Sequence, residues 1–318
     1  MPLAPTLPHK GRGRTTVGPM LSAEQYLLPE IAQQVKRLDL RAKFIVEGFL
    51  AGLHDSPYRG FSLEFSEHRR YTPGDDPKDL DWTAWAKTDR LYVKTYQAET
   101  GLAAYLLVDT SRSMAYAGPG GTMTKLQYAT ALAAALGYLL VRQHDAVGLG
   151  LVGTGLSRFL RARSGRRQLV RILVELARTA GAGATALAAG LHAAAARIKR
   201  RGLVILLSDL VDEPEPTLAA LRRLSLAGHD LIVFQILDST ERRLDVAGPV
   251  ILEDPETGAQ VATDADTIRA DYTERLDDFV RHYERTVREL GGDFVAMTTS
   301  TPFDKALGRF LAERKRRF

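Results

Sequence analysis

The chain has 318 residues, 45% of them hydrophobic, enough for a substantial core and, at roughly 150 residues per domain, for about two domains. It contains no cysteine, which excludes a disulfide framework, a thiolate zinc site, an iron-sulfur cluster and a cysteine nucleophile, and fits a reducing compartment. Its 43 basic and 38 acidic residues give a net charge of +5; the excess gathers in residues 9–14 and 314–317, and nucleic acid is not an expected partner.

Residues 1–20 are Pro, Gly, Thr and Arg without period, which predicts a disordered leader, and they lack the apolar run of a secretory signal. Residues 21–100 and 101–318 read as two further regions. Ser22-Ala23-Glu24-Gln25 has the capping-box spacing of a helix start, and Leu28, Ile31, Val35 and Leu38 follow at helical intervals. From Leu40 the pattern breaks, predicting short extended pieces up to about residue 100. Residues 62–71 and 91–96 alternate like strands around the turn signal Pro73-Gly74 and an acidic segment with two tryptophans.

After Gly101 the texture changes. Continuous apolar runs over 102–108, 146–152, 203–207, 231–237 and 294–297 predict buried strands. Between them Leu132, Leu136, Leu139 and Leu140 make a helical stripe, as do Leu169, Ile172, Leu173 and Leu176, then Leu187, Leu191 and Ile198, then Leu218, Leu221 and Leu224. A long helix runs through Leu276, Phe279, Tyr283 and Val287, and a last one starts near Phe303. Strands apolar on both sides and separated by helices imply a doubly wound α/β domain with a mostly parallel sheet and helices on both faces. Residues 249–263, with Pro255-Glu256-Thr257-Gly258 in the middle, read as an inserted hairpin. The uncharged run 179–196 is too weakly apolar and too broken by glycine to cross a membrane. No membrane span is expected, and the expected location is cytoplasmic.

The most informative residues leave the first of these strands: Asp109-Thr110-Ser111-Arg112-Ser113. Ligands of an open parallel sheet gather at the carboxyl ends of its strands. In an extended segment Asp109, Ser111 and Ser113 point one way, and all three offer the oxygen that Mg²⁺, Mn²⁺ or Ca²⁺ prefers. The same residues also suit a turn that caps the helix beginning near Lys125. Two features add weight to a metal. Asp209 ends the apolar strand 203–207, on the same edge of the sheet, and Thr185 closes the glycine loop Gly181-Ala182-Gly183-Ala184-Thr185.

This set resembles the metal-ion-dependent adhesion site of von Willebrand factor A domains. The resemblance implies that Asp109, Ser111, Ser113, Thr185 and Asp209 surround one divalent cation, Mg²⁺ or Mn²⁺ with Ca²⁺ also compatible, whose shell is completed by a partner's acidic residue. Upstream, Gly60-Phe61-Ser62-Leu63-Glu64-Phe65, Arg70-Tyr71-Thr72-Pro73-Gly74-Asp75-Asp76, Leu80-Asp81-Trp82 and Val93-Lys94-Thr95-Tyr96 are similar to the signature of the bacterial DUF58 family. That family couples such a segment to an A-type domain. Longer members carry N-terminal membrane helices, which this sequence lacks, so it resembles the soluble form. The resemblance further implies a MoxR-type AAA+ ATPase as partner and a role as adaptor or co-factor in assembling or maturing protein complexes.

Other motifs fail on context. Gly148-Leu149-Gly150-Leu151-Val152-Gly153 fits the dinucleotide glycine pattern but lies inside a strand run, and the glycines of 118–121 precede Thr124-Lys125-Leu126, which is no phosphate-binding loop. Asp75, Asp76, Asp79 and Asp81 lack the glycine and closing glutamate of a calcium loop and read as turn residues, with Trp82 and Trp85 as packing. The histidines form no metal or nucleophile pattern. The expected protein is therefore a metal-dependent interaction module with no catalytic residues. A Mg²⁺-dependent phosphohydrolase using Asp109, and an anionic-surface binder using the basic ends, are the alternatives.

Overall fold

The computed structural model describes residues 29–54, 69–70, 92–93, 103–183 and 185–317. The proposed helix start at Ser22, the leader, the Asp75 to Asp81 acids and both tryptophans lie outside them.

Helix α1, Pro29–His54, is followed by the short antiparallel pair β1, Arg69–Arg70, and β2, Tyr92–Val93. The break anticipated at Leu40 does not occur. Ala42, Ile45 and Val46 continue the stripe of Val35 and Leu38, and this face of α1 packs into the core of the large sheet domain.

That domain is built on β3, Ala103–Asp109; α2, Lys125–Arg142; β4, Ala146–Val152; β5, Leu156–Arg163; α3, Arg166–Arg178; α4, Leu187–Arg197; and β6, Leu203–Ser208. It continues with α5, Pro214–Leu226; β7, Asp230–Leu237; α6, Ser239–Arg243; the hairpin β8, Pro249–Glu253, and β9, Gln260–Asp264; α7, Ala265–Glu289; β10, Asp293–Thr298; and α8, Phe303–Arg317. The six-stranded sheet has the order β10-β7-β6-β3-β4-β5, parallel throughout except for edge strand β5. It is the doubly wound, von Willebrand factor A-like architecture expected.

The strands read as unbroken apolar runs because each serves two cores. Along β3, Leu106 and Val108 face the helices α1, α2, α3 and α8, while Tyr105 and Leu107 face α4, α5 and α7. The glycines of β4 belong to this packing. A Cβ on Gly148 would lie 2.6 Å from the Tyr105 ring and 2.7 Å from the Leu160 carbonyl, and one on Gly150 would lie 2.6 Å from Leu107. The dinucleotide-like spacing is thus a consequence of close strand packing.

Strand β5 went unforeseen. Its Arg158, Arg161 and Arg163 alternate with partly buried residues, a half-solvated edge pattern that differs from the central runs. From β3 the order runs outward through β4 and β5, then returns to β6, β7 and β10 on the other side of β3. The switch point lies between the carboxyl ends of β3 and β6, which pair as Val108 with Leu207. A crevice for ligands forms at such a point.

Candidate metal centre at the carboxyl edge of the sheet

Asp109 is the last residue of β3; Ser208 is the last residue of β6, with Asp209 directly after it, and all three are buried. Ser208 ties the two strand ends together: its Oγ donates to Asp109 Oδ2 at 2.5 Å and accepts the Leu210 backbone N–H at 2.9 Å. Asp109 Oδ1 accepts the Ser111 N–H at 2.9 Å, turning the chain so that the buried Ser111 and Ser113 hydroxyls meet at 3.0 Å. A single 3₁₀ turn over Ser113–Ala115 then carries the chain away. Asp109, Ser111 and Ser113 are thus brought together within one turn.

The glycine loop lies directly on this turn. Arg112 N–H donates to the Gly183 carbonyl at 3.1 Å, and Ala182 N–H to the Thr110 carbonyl at 3.1 Å. Gly181 makes the approach feasible, because a Cβ there would stand 2.8 Å from Ala115 Cβ and 3.1 Å from the Ser111 carbonyl oxygen. Gly183, at φ +83°, supplies the left-handed bend that favours glycine. Thr185 follows, two residues before α4, and both its N–H and its hydroxyl donate to the carboxylate of Glu256.

Asp209 has a different partner. Lys125, first residue of α2 and 1% exposed, places its ammonium 2.8 Å from Asp209 Oδ2 and 2.8 Å from Glu241 Oε1. Burial disfavours that ammonium, but Asp209 and Glu241 outweigh the penalty and hold its pKa above the ordinary lysine value. Burial also raises the Glu241 carboxyl, against the pull of Lys125. Among the described residues no lysine or arginine pairs with Asp109. Burial, reinforced by the charge of Asp209, pushes its carboxyl up to about 7 despite the hydrogen bonds from Ser208 and Ser111.

These residues fit a small hard cation. Lys125 is shared between Asp209 and Glu241, so the buried Asp109 carboxyl beside them is left without a cationic partner among the described residues. The donors are oxygens throughout. No group of three or more His, Cys, Asp or Glu able to hold a metal occurs among the described residues; the other oxygens near Asp109 are the Ser111 and Ser113 hydroxyls. Ser208, Lys125, Glu241 and Glu256 were not foreseen as site residues. Ser208 directly precedes Asp209 at the end of β6, whereas Lys125, Glu241 and Glu256 reach the site from other parts of the chain and no local spacing signals them.

The family model described as "Protein of unknown function DUF58" matches residues 67–280. Similar proteins include "Uncharacterized protein Rv1480" of Mycobacterium tuberculosis, 27% identical over 294 residues that make up 91% of this chain and 91% of that one. Among solved structures, BatB from Bacteroides thetaiotaomicron is 13% identical, covering 68% of this chain and 100% of that chain with a TM-score of 0.43. The SpRpn10 VWA domain is 12% identical, covering 65% and 94% with a TM-score of 0.38.

Proposed function

The chain belongs to the DUF58 family, and from that starting point we propose that it is a protein-interaction module that recognises its partner through a divalent cation. Its von Willebrand factor A-like domain suggests an interaction module in general terms. The divalent cation goes beyond that general role. The observation that carries it is the pair of buried carboxylates, Asp109 and Asp209, at adjacent strand ends across the switch point, with the Ser111 and Ser113 hydroxyls 3.0 Å apart beside them.

Asp109, Ser111, Ser113, Thr185 and Asp209 would hold the ion. A bound Mg²⁺ or Mn²⁺ supplies a Lewis-acidic position that takes a carboxylate oxygen from a partner. The chain's own part is preorganisation. Ser208 fixes Asp109, Lys125 orients Asp209 while leaving Glu241 to share its charge, and the backbone bonds between residues 110–112 and 182–183 bring the threonine loop onto the serine loop. Few carboxylates among the donors leave a cation electrophilic enough to seek one more acid.

The partner we propose is a MoxR-type AAA+ ATPase, on the strength of the family resemblance, with an adaptor role in assembling or maturing protein complexes. The test is a pull-down from host lysate with this chain as bait, in Mn²⁺ and in EDTA, with Asp109→Ala alongside. A MoxR-type ATPase retained only with Mn²⁺ and intact Asp109 is the expected result. The same proteins retained in EDTA and by the variant would contradict metal-dependent recognition. Among the described residues no helix is long and apolar enough to cross a membrane.

A further inference from the structure

The hairpin β8–β9 is an arm between α6 and α7. Its residues 253–262 are exposed with one exception, Glu256, which is half-buried at the tip. The tip is braced for that side chain. Asp254 Oδ1 accepts the Glu256 N–H at 2.9 Å, Asp254 Oδ2 accepts the Thr257 hydroxyl at 2.6 Å, and Gly258, at φ +73°, donates its N–H to the Asp254 carbonyl at 2.8 Å. The arm then meets the site at two points. Glu256 takes both the N–H and the hydroxyl of Thr185, the N–H at 2.9 Å to Oε2, and Arg112 Nη1 donates to the Pro255 carbonyl at 3.3 Å. One contact lies on the threonine loop and the other on the serine loop, so the tip bridges the two.

The body of the hairpin is weakly held. Ile251 is 67% exposed and Val261 61% exposed, so burial of apolar surface does little to fix the arm in place. Its base is anchored through Gly248, whose N–H donates to Asp266 Oδ2 at 3.0 Å and whose carbonyl accepts the Ala265 N–H at 2.9 Å. An arm fixed at its base, exposed along its length and held at its tip by the Glu256 carboxylate and one Arg112 hydrogen bond has little buried surface to lose when that tip moves.

We infer that Glu256 is an in-chain acidic occupant of the site: its carboxylate, seated on Thr185, stands where a partner's carboxylate would approach the proposed cation, so binding requires the hairpin tip to be displaced. This rests on the metal-dependent reading and adds to it the partner's recognition element, an acidic residue on a turn, and the threshold it must exceed. An occupant in place about nine-tenths of the time weakens an added ligand about tenfold, because only the vacated fraction is competent.

The experiment uses the full chain and, as probe, a fluorescein-labelled synthetic peptide of residues 249–264. It is titrated with wild-type protein and with Glu256→Gln, in Mn²⁺ and in EDTA. In Mn²⁺ the variant should bind the peptide about tenfold more tightly than wild type, and a peptide carrying Glu256→Gln should bind the variant about tenfold more weakly. Equal binding by wild type and variant, or binding by neither, overturns the inference. A separate Mn²⁺ titration of both chains without peptide identifies what failed. If both take up Mn²⁺ within about threefold of each other while the peptide does not discriminate, the occupant claim is wrong and the metal reading stands. If neither takes up Mn²⁺, the metal reading falls and this inference with it.

Discussion

The ammonium of Lys125 lies 2.8 Å from the Asp209 carboxylate, and both side chains are closed to water at 1% and 0% exposure. The pair sits where α2 begins, so a residue of the first helical turn on one face of the sheet fixes the carboxylate that leaves β6. Glu241, 116 residues away from Lys125 in sequence, shares the same ammonium. Breaking a buried pair leaves an uncompensated charge, which costs far more than the pair itself contributes.

Lys125→Met should therefore destabilise the protein by about 3–5 kcal/mol, measured by urea unfolding. Adding Glu241→Gln should recover part of that loss, because one of the two stranded carboxylates is then neutral. A Lys125→Met protein as stable as wild type would contradict the role given to this ion pair.

Ser208→Ala removes the hydroxyl that bridges Asp109 and the Leu210 N–H. With both groups buried, the expected loss is about 1–3 kcal/mol. Mn²⁺ affinity should fall as well, because Asp109 loses one of the hydrogen bonds that orient it. Isothermal titration of a folded Ser208→Ala sample checks this, and an unchanged affinity would remove Ser208 from the site.

Gly181→Val forces side-chain atoms into the 2.8 Å approach to Ala115 and the 3.1 Å approach to the Ser111 carbonyl. Overpacking of this kind costs about 1–3 kcal/mol. Because the clash parts the two site loops, Mn²⁺ binding should weaken, whereas Gly148→Ala, which clashes with Tyr105 inside the sheet, should lower the melting temperature and leave the Mn²⁺ affinity of the folded protein unaltered. Equal effects of the two variants on metal binding would contradict the loop-apposition argument.

Much of the sheet was legible because burial on both faces is written into the sequence directly: Leu203 to Leu207 has no polar residue to hide, and neither has the run ending at Val108. The hairpin was legible for the opposite reason, its Pro255 to Gly258 turn chemistry being local. Edge strand β5 was missed because one of its sides is solvated, and α1 was cut short because Leu40 and Phe44, both exposed, blur its stripe. At the site, Asp109, Ser111 and Ser113 share one loop and could be grouped by spacing. Lys125 with Asp209, Lys125 with Glu241, and Thr185 with Glu256 are joined across 84, 116 and 71 residues. Contacts of that span depend on the completed fold, and local pattern carries no trace of them.

The Asp238 carboxyl sets a pH dependence away from the metal residues. Burial pushes it up, but the backbone N–H groups of Thr240 and Gly118 and the hydroxyls of Thr299 and Thr240 outweigh burial and hold it below the ordinary carboxylate value. In the acid range the unfolded chain then binds more protons at this residue than the folded one, so its contribution is present above the ordinary carboxylate value and is lost as pH falls through the folded value. Asp238→Asn should flatten the acid limb of a stability-against-pH curve from urea unfolding. An acid limb identical to that of wild type would contradict this.

Recognition through a partner's acid requires a divalent cation held at Asp109. The most direct test is a Mn²⁺ titration followed by electron paramagnetic resonance on wild type and Asp109→Ala, with thermal melts establishing that both are folded. Saturable Mn²⁺ binding by wild type, competed by Mg²⁺ and lost in the folded variant, is the result predicted. A folded Asp109→Ala protein that takes up Mn²⁺ as wild type does, or a wild type that takes up none, would contradict it.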